Sequence, residues 1–311
     1  MVQVYKEPLL KRHYASLISN AVAFRALGLV AVLVLAVIAS YASGGFWQRL
    51  MMTHNQPRVK FTYDMVVVLH DGTRTSAWTP YATMNEALGS AFVPASVDAL
   101  ERDINNDGKP DVLDIVFRSR AAPAVQGVTA ALQLDYFLDA GVDITMKSLV
   151  YVEYFAGLPG AALHVDGDLM LHAKEPLRDR TVRTVYDEDI LADPGSGTGA
   201  LKPGGEINLP DLVAAYLDRN ETTALGNVHT VWQASGGASA AGFELRVKVR
   251  VPEQVVVAKT ARAQLLKWGW VQLFPVLGVF YAVFYLLEAE LFLKRVFATR
   301  VVSDVERKKP F

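Results

Sequence analysis

Ala26-Leu-Gly-Leu-Val-Ala-Val-Leu-Val-Leu-Ala-Val-Ile-Ala-Ser-Tyr-Ala-Ser-Gly-Gly-Phe-Trp-Gln48 contains no charged residue. Near the other end, Trp268-Gly-Trp-Val-Gln-Leu-Phe-Pro-Val-Leu-Gly-Val-Phe-Tyr-Ala-Val-Phe-Tyr-Leu-Leu287 contains none either. A helix rises 1.5 Å per residue, so about 20 apolar residues cross the ~30 Å hydrocarbon core of a bilayer. Both runs pass that test. Lipid offers no hydrogen-bond partner to a backbone, so each run should be helical. A cleaved signal peptide competes for the first run, because Ala39 to Gly45 is rich in small residues. Against cleavage stand the long basic lead and a longer apolar run than such peptides carry.

Charge sets the expected orientation. Residues 1–25 carry Lys6, Lys11, Arg12 and Arg25 against Glu7 alone, while residues 44–266 hold 20 basic and 27 acidic side chains. Basic flanks stay cytosolic, and the tryptophans closing span one and opening span two suit one membrane interface. The chain therefore divides into a cytosolic segment (1–25), a first span (26–43), an extracytoplasmic domain (44–266), a second span (267–287) and a cytosolic basic tail (288–311). There is no cysteine. Thiol catalysis, Cys-ligated zinc and S-acylation are excluded, and the domain must fold on its core alone. Its acidic balance argues against nucleic acid as a partner.

The middle reads as mainly β, a sandwich or jelly roll of eight to ten short strands. Phe243, Leu245, Val247, Val249 and Val251 alternate with Glu244, Arg246, Lys248 and Arg250, the pattern of a strand with one wet face. Leu132, Leu134, Tyr136 and Leu138 alternate with Gln133, Asp135, Phe137 and Asp139 in the same way. Residues 59–69, 112–117, 149–155 and 228–233 read as further strands. Asp166-Gly167 reads as a two-residue hairpin turn, which would put His164 and His172 on opposite faces. One helix is expected over residues 211–218, with Pro210 in its first turn. Residues 193–206 and 235–242 read as loops.

Asp103-Ile-Asn-Asn-Asp-Gly-Lys-Pro-Asp111 is the sharpest local signal. Asp103, Asn105 and Asp107 project oxygens at alternate positions, Gly108 permits a tight turn, and the Lys109 carbonyl and Asp111 complete an oxygen shell of the kind calcium takes. The same residues also make an Asx-rich turn that holds no ion. Asn220-Glu-Thr222 is an N-glycosylation sequon. Ala36, Ser40 and Gly44 lie four apart, as do Gly278 and Ala282, a spacing that lets membrane helices pack closely or that is simply ordinary membrane composition. Pro275 should bend span two. Lys308-Lys309 matches a dilysine retrieval signal or a solvated basic tail. No nucleophile, base and metal set converges, so an enzyme is not expected, and no cofactor is required; calcium at that loop is the one candidate.

The chain resembles the transmembrane protein 231 family, components of the ciliary transition zone. The residues that carry the resemblance run in order along nearly the whole chain: Gly45-Phe-Trp47, Gln56-Pro-Arg-Val-Lys-Phe61, Arg102 to Asp111, Leu163-His-Val-Asp-Gly-Asp-Leu169 with Lys174 and Pro176-Leu177, Val213-Ala-Ala-Tyr216, Arg219-Asn-Glu-Thr-Thr-Ala-Leu225 and Trp270-Val-Gln272. It departs in the Gly-rich stretch 193–206 and in the Lys-Lys ending. The resemblance implies a structural and assembly subunit of the Meckel-syndrome module. Such a subunit helps form the diffusion barrier that controls membrane-protein entry into the cilium. Its partners would be other membrane and peripheral proteins of that module and membrane lipid, and its place the ciliary membrane at the transition zone, with an endoplasmic reticulum pool if the dilysine signal operates. A reading of another class is a two-span glycosylated accessory subunit or chaperone of a multispan transporter.

Overall fold

A computed structural model of the chain describes residues 11–44, 46–120, 124–139, 143–178, 182–192, 207–235 and 242–303. The glycine-rich stretch 193–206, most of the loop at 235–242 and the Lys308-Lys309 pair lie outside the described residues. The elements in chain order are β1 (Lys11–Tyr14), α1 (Asn20–Ala42), β2 (Leu50–Asn55), β3 (Arg58–His70), β4 (Thr75–Trp78), α2 (Ala82–Leu88), β5 (Ala95–Arg102), β6 (Val112–Ser119), β7 (Val125–Asp139), β8 (Asp143–Ala173), β9 (Leu177–Arg178), β10 (Arg183–Tyr186), α3 (Leu209–Leu217), β11 (Glu221–Ala234), β12 (Phe243–Arg250), β13 (Gln254–Lys259), α4 (Arg262–Leu293) and β14 (Arg300–Ser303). Two compact units result: residues up to Arg49 together with those from Thr260, and Leu50–Lys259.

In the first unit, the two long apolar helices α1 and α4 have mean hydropathies of 2.6 and 1.9 over their most apolar windows. Ser19 caps α1, its Oγ accepting from the Val22 N–H. α4 begins ahead of the uncharged run, as the lead-in from Lys259 suggests, and holds Pro275 in its interior. The helices run antiparallel. Arg25 pairs with Glu288 at one end (3.2 Å), and at the other a Cβ on Gly269 would lie 3.7 Å from the Phe46 carbonyl.

The second unit is mainly β. Its large sheet has the order β4-β3-β7-β8-β12-β6-β5, with β10 and β11 also pairing β8; a smaller sheet has the order β2-β13-β9. Apolar side chains from both sheets form one core, including Phe61, Leu132, Tyr136, Leu163, Val247 and, from the smaller sheet, Val256 and Ala258. Gln254 joins the layers: its amide donates to the Leu169 carbonyl at 2.8 Å and accepts from the Leu171 N–H at 2.7 Å. On the other face, α2 and α3 cover a second core of Val66, Met84, Ala131, Leu149, Leu191, Leu212 and Tyr216.

Two sequence expectations fail, each for a physical reason. Asp166-Gly167 is not a turn. β8 runs unbroken for 31 residues, and Gly167 is not among the positive-φ glycines that such a turn requires. Asp166 and Asp168 lie opposite Lys248 and Arg250 of the parallel β12. Arg250 pairs with both carboxylates, at 3.1 and 2.6 Å. The irregularity sits instead in β11, where the register slips between Gly226 and His229 and Asn227 takes φ +48°. His164 and His172, eight residues apart on a continuous strand, therefore share a face, about 26 Å apart.

β7 is the second. Gln133 stands on the face expected to be wet, yet it is fully buried. Residues Asp189–Leu191 lie over it. Its Nε2 donates to Asp64 and Asp189 (3.3 and 2.9 Å), and its Oε1 accepts from the Ile190 and Leu191 N–H groups (2.7 and 2.9 Å). Gln133→Leu orphans two buried amides and should destabilise the domain by about 2–4 kcal/mol. Thermal melting of the full chain in detergent checks this, and an unshifted melt would remove Gln133 from the account.

Candidate functional sites: the Asp/Asn loop, the sequon and the spans

Asp103 to Asp111 connects β5 to β6, and every polar residue type in it has local work to do. Asp103 accepts from the Asp107 and Gly108 N–H groups at 3.3 and 2.8 Å, and Asp107 accepts from the Lys109 N–H at 2.8 Å. The Asn105 carboxamide oxygen accepts from the Asp107 N–H at 3.0 Å. Asn106 and Gly108 take φ of +58° and +84°, the left-handed conformation that Asn and Gly tolerate. Asp111 closes the loop, accepting from Ile104 at 2.7 Å and from Gln56 Nε2 at 2.7 Å. The Gln56 bond first, then the Ile104 amide, hold its carboxyl below the ordinary range. Lys109 Nζ donates to the Gln56 carbonyl at 2.9 Å, tying the loop to the start of β3. Asp114, at the position that ends an EF-hand loop, lies instead within β6. There it is buried between Arg246 and Arg102, and bonds from Arg246 above all depress its pKa.

Ionised Asp has about four acceptor sites, so these bonds leave lone pairs on Asp103, Asp107 and Asp111. Among the described residues no group of three His, Asp or Glu side chains is placed to hold a metal, so any ion here would depend on Asn105 and carbonyl oxygens as well. Calcium at this loop is a proposal with a direct test. At ten times its dissociation constant, calcium should stabilise the protein by about 1.4 kcal/mol. The full chain in detergent should then melt several degrees higher in millimolar calcium than in chelator, and Asp107→Ala should erase the difference. Equal melting in both leaves the loop an Asx turn.

The sequon follows α3, which is capped by Asn208 and carries Pro210 in its first turn, and straddles the start of β11: Asn220 precedes the strand, and Glu221 and Thr222 are its first two residues, both buried. Asn220 is exposed. Its backbone N–H donates to Tyr186 Oη at 3.1 Å and its carbonyl accepts from Lys174 at 2.9 Å. Both fix the chain beside it and neither uses the side-chain amide.

The small residues of the spans divide into two groups. Ala36 and Ser40 are completely buried and continue a stripe through Val32 and Gly28 that faces α4. A Cβ on Gly28 would overlap the Phe284 ring, so this glycine, which spacing alone did not single out, makes room for that ring. Gly44 lies beyond the end of α1 at φ +75°, and neither it nor Gly278 has anything within 4 Å of a built Cβ. Ala282 is exposed. Because the chain has no cysteine, Arg25→Cys with Glu288→Cys reports the helix pair through a short bis-thiol linker. Gly28→Leu should lower the cross-linking yield several-fold and Gly278→Leu should leave it unchanged; equal yields would mean that Gly28 does not set the packing.

A sequence model of the family described as Transmembrane protein 231 matches residues 1–301. Curated relatives of that name match at low identity over nearly full length. The Gallus gallus protein is 29% identical over 98% of this chain and 95% of its own length. For Xenopus tropicalis the values are 27%, 96% and 95%, and for Homo sapiens 27%, 99% and 96%. Among solved structures, a proton-activated chloride channel aligns with 86% of this chain and 98% of that chain at 8% identity and a TM-score of 0.23, too low to carry an argument. The family match spans the membrane-length helices, the β domain and the Asp/Asn loop alike: the chain belongs to the transmembrane protein 231 family.

Proposed function

We propose that this membrane protein is a structural and assembly subunit of the ciliary transition-zone membrane complex, contributing to the barrier that controls entry of membrane proteins into the cilium. One observation carries the reading, the family match over residues 1–301. The architecture is compatible with it: a pair of membrane-length helices and a folded domain of about 210 residues, with polar clusters engaged in holding the fold. The subunit is not an enzyme in this proposal, and it acts through contacts with other proteins of the Meckel-syndrome module.

The proposal includes a topology, with both termini cytosolic and Leu50–Lys259 outside the cytosol. Asn220 then carries glycan wherever the chain passes through a glycosylating compartment. Thr222→Ala should abolish the mobility shift that glycosidase produces. A tagged copy in ciliated cells should form a band at the ciliary base and recover Meckel-module proteins on affinity purification. Signal that tracks a multispan transporter at the Golgi or plasma membrane would overturn the assignment in favour of an accessory subunit.

A further inference from the structure

The short strands at the two ends of the described chain meet. β1 and β14 pair antiparallel, with Arg12 opposite Val302 and Tyr14 opposite Arg300. Directly opposed residues share a face, and successive residues alternate faces. Arg12, Tyr14, Arg300 and Val302 therefore lie on one side of the ribbon, and His13 and Val301 on the other. The second side is tied down. His13 Nδ1 lies 3.0 Å from Thr299 Oγ1, and its ring is 5.7 Å from that of Phe292 in α4. Phe297, just before β14, stacks on Phe24 of α1 at 4.9 Å. The ribbon is thus held at the end of the helix pair where Arg25 meets Glu288.

The first side carries charge that forms no ion pair among the described residues. Neither 11–24 nor 291–303 contains Asp or Glu. Arg25 and Lys294 are engaged by Glu288 and Glu290; Arg12, Arg295 and Arg300 form no ion pair among the described residues, and all three are exposed. Tyr14, between the two ribbon arginines, is 52% exposed, and tyrosine favours the headgroup level of a bilayer. Arg12 and Arg300 are diagonal neighbours, about 7–8 Å apart at their bases. Two planar guanidinium forks at that spacing can close on one phosphate-bearing group, and each fork matches phosphate bidentately. Among the described residues no acidic side chain pairs with these arginines, and the end of a membrane helix pair is where lipid phosphates are.

We propose that the Arg12–Tyr14–Arg300 face binds the headgroup of an anionic lipid carrying phosphate monoesters, the phosphoinositide class. The proposal rests on the cytosolic placement of the termini, since such lipids lie in the cytosolic leaflet. Phosphatidylserine, whose extra charge is a carboxylate, should bind more weakly because it offers no monoester to the paired forks.

Native mass spectrometry of the full chain in neutral detergent tests this. The probes are dioctanoyl phosphatidylcholine, phosphatidylserine and phosphatidylinositol bisphosphate, with inorganic phosphate as the free-anion arm. The bisphosphate should form a retained adduct at least tenfold tighter than phosphatidylcholine. Arg12→Gln with Arg300→Gln should weaken it about 25-fold, roughly fivefold for each arginine. Arg12→Lys with Arg300→Lys keeps the charge and removes the forks. That variant should narrow the preference for bisphosphate over phosphatidylserine while keeping a stronger bisphosphate adduct than the Gln pair, which also guards against a Gln variant that misfolds. Equal adducts on wild type and both variants, or displacement by equimolar inorganic phosphate, overturn the proposal. So does a ribbon that ignores lipid and retains a co-purifying protein only when Arg12 and Arg300 are present. Detergent has no sides, so this outcome is separate from the topology, which protease protection in sealed vesicles reads on its own.

Discussion

The β domain depends on one strand staying straight. β8 pairs β7 and β10 along its first half and β12 and β11 along its second. A turn at Asp166-Gly167 would remove the second half from the sheet, and with it β12, the link to β6 and β5. Two acidic residues two apart point one way on a strand, and Lys248 and Arg250 on β12 meet them there. The Asn227 carboxamide also donates to Asp168 at 2.7 Å, and this bond first, with Arg250 next, holds that carboxyl below its ordinary range. Gly167 adds room, since a Cβ there would lie 3.3 Å from the Gly226 carbonyl. Ionic pairing across strands thus overrides a local turn preference, which is worth less than a row of ladder bonds and charge pairs together.

That contest shows what a sequence displays and what it conceals. The two apolar helices were legible because lipid imposes a length and a composition on each segment separately, with no need to know its neighbours. The alternation of residues 243–251 was legible for a similar reason: one face of β12 is buried by a contiguous core, so period two survives. Gln133 was hidden because its burial comes from Asp189–Leu191, far along the chain. Its own strand reads as half-wet, and only the distant segment makes both faces dry. Gly28 was hidden because small-residue spacing does not say which face another helix will occupy. The Asp/Asn loop was legible as a unit, since its bonds are nearly all local, yet Asp114 belonged to Arg246 and Arg102 and not to the loop.

A cluster of polar side chains ties β3, β7 and β8 to the segment that carries Asp189. Gln133 satisfies two amides and two carboxylates, while Lys147 bonds Asp135 at 2.7 Å and reaches Asp189 at 3.3 Å. Tyr81 donates to Asp64, which follows Tyr63 at φ +66° in a bulge of β3. The bulge breaks the β3–β7 register between Phe61 and Met65, and Asp64 meets Gln133 as well as Tyr81. These contacts hold a segment that has little regular structure of its own. They engage Asp64, Asp135 and Asp189 in holding the fold.

Those ends are close for an entropic reason. β2 and β13 are antiparallel neighbours, with Leu50 opposite Lys259, and the Thr260 N–H continues the ladder to the Arg49 carbonyl at 3.0 Å. Bringing together the ends of a free loop of about 210 residues costs roughly 5 kcal/mol by the logarithmic law, before any constant term. Folding of the domain meets that cost, so α1 and α4 associate as though joined by a short connection. Their pairing, set by Gly28 against Phe284, then brings Tyr14 and Arg300 within strand-pairing reach. A four-residue ribbon closing a loop of nearly the whole chain has no stability alone. It forms because two larger closures precede it, and any change that separates the helices should release the ribbon while the β domain stays folded.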